Sequence, residues 1–372
     1  MINKYSKVEI NYKDISEKEY EFTETTLLSV NKEDVFYEFL IRLNKQSNKT
    51  IIFGSGAYDN EKIKPPIFQR FSWENEFDCN LIFYNDPTLY LGNISLGWGY
   101  GDRGEHYLET ISEILSKLLS KMSLKKEDTI FYGSSGGGFM SIMLATLIKG
   151  TTAVVNNPQT DIRNYYENAV KLLCNAVYGD KDIEAFKSEK LERLSVIEMI
   201  KKEGYIPNII YLQNIACRND MINQFNPFIK NIQLVNGEYF CNNINLTLYY
   251  NKEQNHSPIS KKDTIDVLKK VLCGKYRCNF NTIHNIQPKM DDKIYVKFDN
   301  NHIEVLIKEK DEDLEYACYF YSENKIIEKK SYQKENKFIF IIPEFNDKRN
   351  YSIKVFIKDK NFNIKKFKKY II

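Results

Sequence analysis

The chain has 372 residues, 42% hydrophobic and 28% charged, with a formal net charge of +3. That length allows one large core plus a smaller one, and the balance is that of a globular protein. So small a net charge excludes a strongly electrostatic partner for the chain as a whole, so no nucleic acid is expected.

Residues 1–48 read as a preface. Lys7–Tyr12 and Thr25–Val30 have strand character, and Lys32–Asn44 is expected to be a helix. A repeated alternation follows. Thr50–Gly54 and Asn80–Asn85 read as strands. Glu105–Met122 reads as an amphipathic helix, with Leu108, Ile111, Ile114, Leu115, Leu118 and Leu119 at helical spacing. Thr129–Tyr132 is an apolar strand that runs through Gly133-Ser134-Ser135-Gly136-Gly137 into the apolar helix 137–149. Thr152–Asn156 is the next strand, with helices expected over Asp161–Tyr178 and Asp182–Glu203. Ile206–Gln213 and Asn245–Tyr250 are strands, and Lys261–Cys273 is a closing helix. Strands separated by helices specify a doubly wound, mostly parallel α/β sheet over residues 49–285. The pattern changes near residue 285. Ile294–Phe298, His302–Ile307, Tyr316–Tyr321, Lys337–Ile342, Tyr351–Ile357 and Ile364–Tyr370 alternate with period 2, which predicts a C-terminal all-β sandwich over residues 286–372, joined by a linker at 279–292.

No apolar run approaches the length of a membrane span. The start, Met1–Lys7, lacks the apolar core of an export signal. Seven cysteines (79, 174, 217, 241, 273, 278 and 318) are scattered, and none forms a C-x-x-C pair, which argues against zinc or disulfide frameworks. Together these features point to the cytoplasm.

Gly133-Ser134-Ser135-Gly136-Gly137 is a G-x-S-x-G nucleophile elbow in its required strand–turn–helix setting. The register places Ser135, rather than Ser134, between the two required glycines. A serine needs a base, and the base needs an orienting acid. Of the histidines 106, 256, 284 and 302, only His256 follows a late strand and precedes a closing helix, so it is the expected base. Asp220 is the first carboxylate after the strand ending near Leu212 and is the expected acid. Asp161 is the alternative, and Glu203 and Glu238 fit worse. Two backbone N–H donors must face the developing oxyanion. Gly136 is expected to supply one, and the loop Gly54-Ser55-Gly56-Ala57 the other, through Ser55 or Gly56. Asp86, Trp98 and Tyr100, in loops after an early strand, are expected to line the substrate site, although a packed loop explains the Gly97–Asp102 run equally well. Arg70, Trp73 and Arg103 are further candidates for contact with an anionic or sugar group. The basic C-terminal run Lys348–Ile372 is read mainly as protection of an exposed sheet edge. This chemistry requires no metal and no organic cofactor.

Over Thr50 to about Cys273 the chain resembles the α/β-hydrolase superfamily. More narrowly, Asn85-Asp86-Pro87-Thr88-Leu89, Gly97-Trp98, Gly133–Phe139, Asn157-Pro158-Gln159-Thr160 and Tyr211-Leu212-Gln213-Asn214 resemble hydrolase-fold proteins of bacterial capsule and surface-polysaccharide loci. More distantly, the chain is similar to the acetylating hydrolase-fold component of the accessory secretion system for glycosylated adhesins. The resemblance implies acyl-ester chemistry on a glycan, by hydrolysis or by O-acyl transfer, alongside polysaccharide-assembly partners. In such proteins a histidine often follows the acid closely, whereas here Met221-Ile222-Asn223 follows Asp220. A non-catalytic subunit of a glycan-assembly complex and a serine peptidase of the same fold are the rival readings.

Overall fold

The computed structural model describes residues 5–17, 22–180, 182–236, 243–276, 294–299, 302–307, 312–322, 325–341, 351–360 and 364–371. The chain divides into two compact units, Met1–Ile283 and His284–Ile372. The expected linker and His284 lie outside the described residues.

The first unit is built on a nine-stranded sheet. Its strands are β1 (Ser6–Asn11), β2 (Thr26–Lys32), β3 (Val35–Arg42), β4 (Thr50–Phe53), β5 (Asn80–Tyr84), β6 (Thr129–Ser135), β7 (Thr152–Pro158), β8 (Asn208–Asn214) and β9 (Ile244–Tyr249). Their spatial order is β1-β2-β3-β5-β4-β6-β7-β8-β9. Only the pairings of β3 with β2 and β5 are antiparallel. The alternation of each central strand divides its residues between two cores, as pleated geometry requires. Ile52, Ile82, Phe131, Val155 and Tyr211 pack on one face. Ile51, Phe53, Phe83, Tyr132, Val154 and Leu212 pack on the other. Both faces are covered, which is why these strands read as continuous apolar runs.

The helices are α1 (Tyr107–Lys121), α2 (Gly136–Leu147), α3 (Glu167–Tyr178), α4 (Ile183–Ser188), α5 (Leu191–Leu194), α6 (Val196–Glu203), α7 (Arg218–Asp220), α8 (Asn226–Asn236) and α9 (Lys261–Leu272). The helix expected over Asp182–Glu203 is broken into α4, α5 and α6, and the one over Asp161–Tyr178 begins with a separate 3-10 turn, Ile162–Asn164.

The helix expected over Lys32–Asn44 is not present. β2 and β3 instead form an antiparallel hairpin, turning at Glu33 and Asp34 with φ of 51° and 66°. Positive φ at both turn residues is the two-residue hairpin geometry that matches strand twist. Tyr37, Phe39 and Ile41 alternate into the core with no exposure.

In the second unit, β10 (Ile294–Asp299), β11 (His302–Ile307) and β14 (Lys337–Ile341) form one antiparallel sheet. β12 (Glu315–Ser322), β13 (Lys325–Gln333), β15 (Tyr351–Lys358) and β16 (Ile364–Ile371) form another, in the order β13-β12-β15-β16. Ile303, Val305, Phe338 and Phe340 of the first sheet share one buried cluster with Tyr316, Phe320, Ile353 and Val355 of the second. Two sheets meeting through alternate residues make a β-sandwich. β13 has no counterpart among the expected strands because its residues, Lys-Ile-Ile-Glu-Lys-Lys-Ser-Tyr-Gln, are mostly exposed on an edge.

Candidate active site

The site forms at the carboxyl ends of β6, β7, β8 and β9, where a doubly wound sheet leaves a crevice. Ser135 closes β6 and precedes α2, with φ 53° and ψ −126°. Left-handed backbone is costly for a residue with a Cβ and persists only when its surroundings enforce it. The enforcement is steric. A Cβ on Gly133 would lie 2.2 Å from the Gly137 carbonyl, and one on Gly137 would lie 2.8 Å from the Gly54 carbonyl oxygen. The strand can therefore turn into the helix within van der Waals contact of the neighbouring loop, and Ser135 is held at the bend.

His256 Nε2 lies 2.9 Å from Ser135 Oγ, and His256 Nδ1 lies 2.6 Å from Asp220 Oδ2. The Asp220 side chain is 6% exposed and that of His256 35%. A carboxylate accepts from the imidazole Nδ1–H, which leaves the Nε2 lone pair facing the serine hydroxyl. Asp161, the alternative acid, is engaged elsewhere. It accepts from Arg163 Nε at 2.9 Å and Nη2 at 2.5 Å, and it caps the 3-10 turn Ile162–Asn164.

Asparagine and glutamine side chains whose individual roles the sequence does not reveal hold this arrangement. Gln159 is buried, and its Nε2 donates to Ser135 Oγ at 3.1 Å while its Oε1 accepts from Trp98 Nε1. The Nδ2 of Asn157 reaches the carbonyls of His256 (3.0 Å) and Ser257 (3.1 Å). Asn214 Nδ2 donates to the carbonyls of Asn251 (2.7 Å) and Asn255 (2.8 Å), so the loop carrying His256 is tied to the ends of β7 and β8. Behind Asp220 the helix widens into a π-helical stretch, Met221–Phe225. Within it, buried Gln224 accepts from the backbone N–H of Thr160 (2.7 Å) and of Asp161 (2.9 Å). Such π stretches are frequent at functional sites. Cys217 also stands near, its ligand atom and those of Asp220 and His256 lying within 4.8 Å of one another. Burial pushes the Cys217 thiol up, which keeps it a neutral neighbour of the carboxylate rather than a thiolate.

On the oxyanion side, the Gly56 N–H donates to Gln69 Oε1 at 3.0 Å, and that bond removes it from the role expected of it. The Ser55 hydroxyl is also engaged, donating to the Ile67 carbonyl at 3.0 Å and accepting from the Gln69 N–H at 3.1 Å. These contacts fix the loop that carries the Ser55 backbone N–H, and Gly136 is the first residue of α2.

The expected substrate contacts Asp86, Trp98 and Tyr100 are corrected by their burial, at 4%, 0% and 0% exposure. The Asp86 carboxylate accepts from the N–H of Thr88 (2.9 Å) and of Gly99 (2.7 Å), pinning two loops together. Tyr100 packs against Tyr178 and Phe186. Arg193 donates to the carbonyls of Asp102 (2.8 Å), Gly104 (3.0 Å) and Glu105 (2.9 Å), so the Gly97–Asp102 segment is a packed loop. Trp98 still bears on the site through Gln159. Arg103 donates to the carbonyls of Val177 (3.1 Å) and Tyr178 (3.0 Å).

No protein-family model matches the chain, and no curated protein does. Solved structures do. A mutant of the capsule O-acetyltransferase of Neisseria meningitidis serogroup A, in complex with CoA, aligns at 18% identity and a TM-score of 0.51, over 66% of this chain and 94% of that one. An S-formylglutathione hydrolase from Agrobacterium tumefaciens aligns at 15% identity and a TM-score of 0.46, over 67% and 94%. The Glycosylation Associate Protein (Gap123) complex from Streptococcus agalactiae aligns at 13% identity and a TM-score of 0.47, over 66% and 46%. No described helix is long and apolar enough to cross a membrane. The likeness to the capsule O-acetyltransferase, at so low an identity, shows a shared architecture, and that architecture is the α/β-hydrolase fold.

Proposed function

We propose that this protein is a serine-dependent acyl-transfer enzyme, an esterase or an O-acyltransferase, acting on a glycan or small acyl ester of bacterial surface-polysaccharide metabolism. The observation that carries the reading is the unbroken hydrogen-bonded line from Ser135 Oγ through His256 to Asp220, at 2.9 and 2.6 Å. Ser135 Oγ attacks the ester carbonyl carbon as its proton passes to His256 Nε2. The carbonyl π electrons move onto oxygen, which the N–H groups of Gly136 and Ser55 receive. Asp220 stabilises the imidazolium without taking its proton. Collapse of the tetrahedral intermediate expels the leaving group, which takes the proton from Nε2, and an acyl-Ser135 remains. Water or a sugar hydroxyl then gives its proton to Nε2 and attacks that ester, regenerating the serine. Gln159 Nε2–H orients the serine oxygen throughout.

The glycan and polysaccharide-assembly aspects of the reading rest on the motif likeness and on the fold shared with the capsule O-acetyltransferase. The CoA bound to that enzyme makes acetyl-CoA the first donor to try. Cys79, Cys174, Cys217, Cys273 and Cys318, none of them in a disulfide among the described residues, suit a reducing, cytoplasmic compartment.

The test is covalent. Wild-type protein should react with a fluorophosphonate probe and, with acyl donors, gain one acyl mass on Ser135. Ser135→Ala should abolish both, and His256→Ala should slow labelling by about three orders of magnitude or more. Equal labelling of the Ser135→Ala protein sinks the reading. Retention of label by wild type with no turnover of any ester would favour a binding subunit instead.

A further inference from the structure

Arg70 is a cation placed against the elbow with no part in the chemistry above. It precedes the 3-10 turn Phe71–Glu76 and has φ 67°, a left-handed backbone state unfavourable for a residue with a Cβ. Its guanidinium lies at the carboxyl ends of β4 and β6. Nη2 donates to Ser134 Oγ at 2.7 Å, and Nη1 reaches the Gly54 carbonyl at 3.4 Å. The guanidinium carbon is 5.1 Å from the Tyr132 ring centroid and 5.7 Å from that of Trp73.

Three other arginines of this unit are held by more acceptors or by a carboxylate. Arg42 and Arg193 are clamped by three or more backbone carbonyls each, and Arg163 is paired with Asp161. Arg70 has one hydroxyl and one long carbonyl contact, and among the described residues no carboxylate forms an ion pair with it. Guanidinium carries five N–H donors in a planar fork. A half-buried cation resting on neutral acceptors and ring faces lacks a counter-charge. The sheet geometry places it where a ligand would sit. Ser134 directly precedes the nucleophile, Gly54 directly precedes the oxyanion donor Ser55, and Arg70 touches both.

We propose that Arg70 forms an anion subsite beside Ser135, and that the true substrate carries a carboxylate or phosphate gripped by the guanidinium fork. The group belongs either to the acyl donor or to the acceptor sugar. As a statement about substrate, the inference rests on the acyl-transfer reading of Ser135. The Tyr132 and Trp73 rings lie against the guanidinium, whose planar fork favours two-point recognition of a planar or tetrahedral oxyanion.

Two measurements on the full-length protein test it. The first is binding without turnover. Trp73 lies beside Arg70, so tryptophan fluorescence titrated with glucuronate or inorganic phosphate should saturate, glucose should give no response, and the response should vanish in Arg70→Gln. The second is selectivity. The donor arm compares acetyl-CoA with 4-nitrophenyl acetate, and the acceptor arm compares glucuronate with glucose, using 4-nitrophenyl acetate as donor. In one arm, the anionic-to-neutral ratio of kcat/KM should fall by about ten- to a hundredfold in Arg70→Gln, the worth of one charge-assisted bond, mainly through KM. Arg70→Lys should recover part of it, and raising salt from about 0.05 to about 0.5 M should erode it. The arm that responds identifies the source of the anion. Saturable binding unchanged in Arg70→Gln, or ratios equal in wild type and variant, overturns the inference while leaving Ser135 chemistry intact. Arg70-dependent anion binding in a protein whose Ser135 never turns over would instead refute the acyl-transfer reading and leave the anion site standing.

Discussion

Ser135 depends on a side chain that is easily passed over in the sequence. Gln159 joins Trp98 Nε1 to Ser135 Oγ, accepting from the first through Oε1 and donating to the second through Nε2. Gln159→Leu leaves the Trp98 N–H buried without an acceptor, which costs about 1–3 kcal/mol. Urea unfolding should show that loss, and probe labelling of Ser135 should slow by about five- to tenfold rather than stop. His106 is a second buried group with a calculable effect. It is 4% exposed, and neither ring nitrogen has a hydrogen-bond partner among the described residues. Burial lowers its pKa, opposed by the Glu109 carboxylate at 3.5 Å. The fold therefore binds this proton less tightly than the unfolded chain, which takes it up below about pH 6.5. Stability should fall as pH drops beneath that value, by at most about 1.4 kcal/mol per pH unit from this group. In His106→Leu the slope of unfolding free energy against pH between roughly 6.5 and 5 should flatten, by no more than that amount. That Ser135, His256 and Asp220 would meet was legible because chain order and strand positions leave few alternatives. The fates of Gly56, Asp86 and Trp98 were not, because a loop glycine, acid or tryptophan reads the same whether it faces a substrate or another loop. Only the Gln69 and Gln159 contacts decide.

Local sequence spoke clearly where an element has one purpose and poorly where two periods compete. The elbow is over-determined, since apolar strand, glycines and apolar helix all agree. Gly133→Ala tests that, because its methyl would meet the Gly137 backbone at 2.2 Å, which no rotamer relieves. The variant should lose about 4 kcal/mol or more, or accumulate as insoluble protein, as strain at a special backbone position predicts. The β2–β3 hairpin shows the opposite case. Val35–Arg42 is apolar at every position but Glu38 and Arg42, a pattern that fits a helix nearly as well as alternation. The turn gave no warning, because Glu33 and Asp34 hold positive φ without glycine. Replacing them with Asn and Gly should relieve that strain and raise stability by about 1 kcal/mol, seen as a higher midpoint in thermal unfolding.

At the scale of the whole chain, the change of hydrophobic period near residue 285 marks a change of architecture. Alternate apolar residues in the first unit fill two cores on opposite faces of one sheet, whereas in the second they fill a single core between two sheets. That difference explains why helices fall silent in the C-terminal sequence. A sandwich covers each sheet with the other, so no amphipathic helix is needed, and the outward residues are free to be lysines. It also makes neighbouring residues of one strand unequal in a way that can be measured. Phe340 is fully buried and packs its ring 5.6 Å from that of Phe320 in the facing sheet, while adjacent Ile339 is 47% exposed. Phe340→Ala should destabilise the β unit by about 3–5 kcal/mol, and Ile339→Ala by roughly 0.5 kcal/mol or less. Amide hydrogen exchange followed by mass spectrometry reads this locally. Peptides covering β11, β12 and β14 should exchange faster in the first variant and at the wild-type rate in the second. Equal acceleration in both would mean that the two sheets do not face each other through this residue, and the sandwich would have to be redrawn.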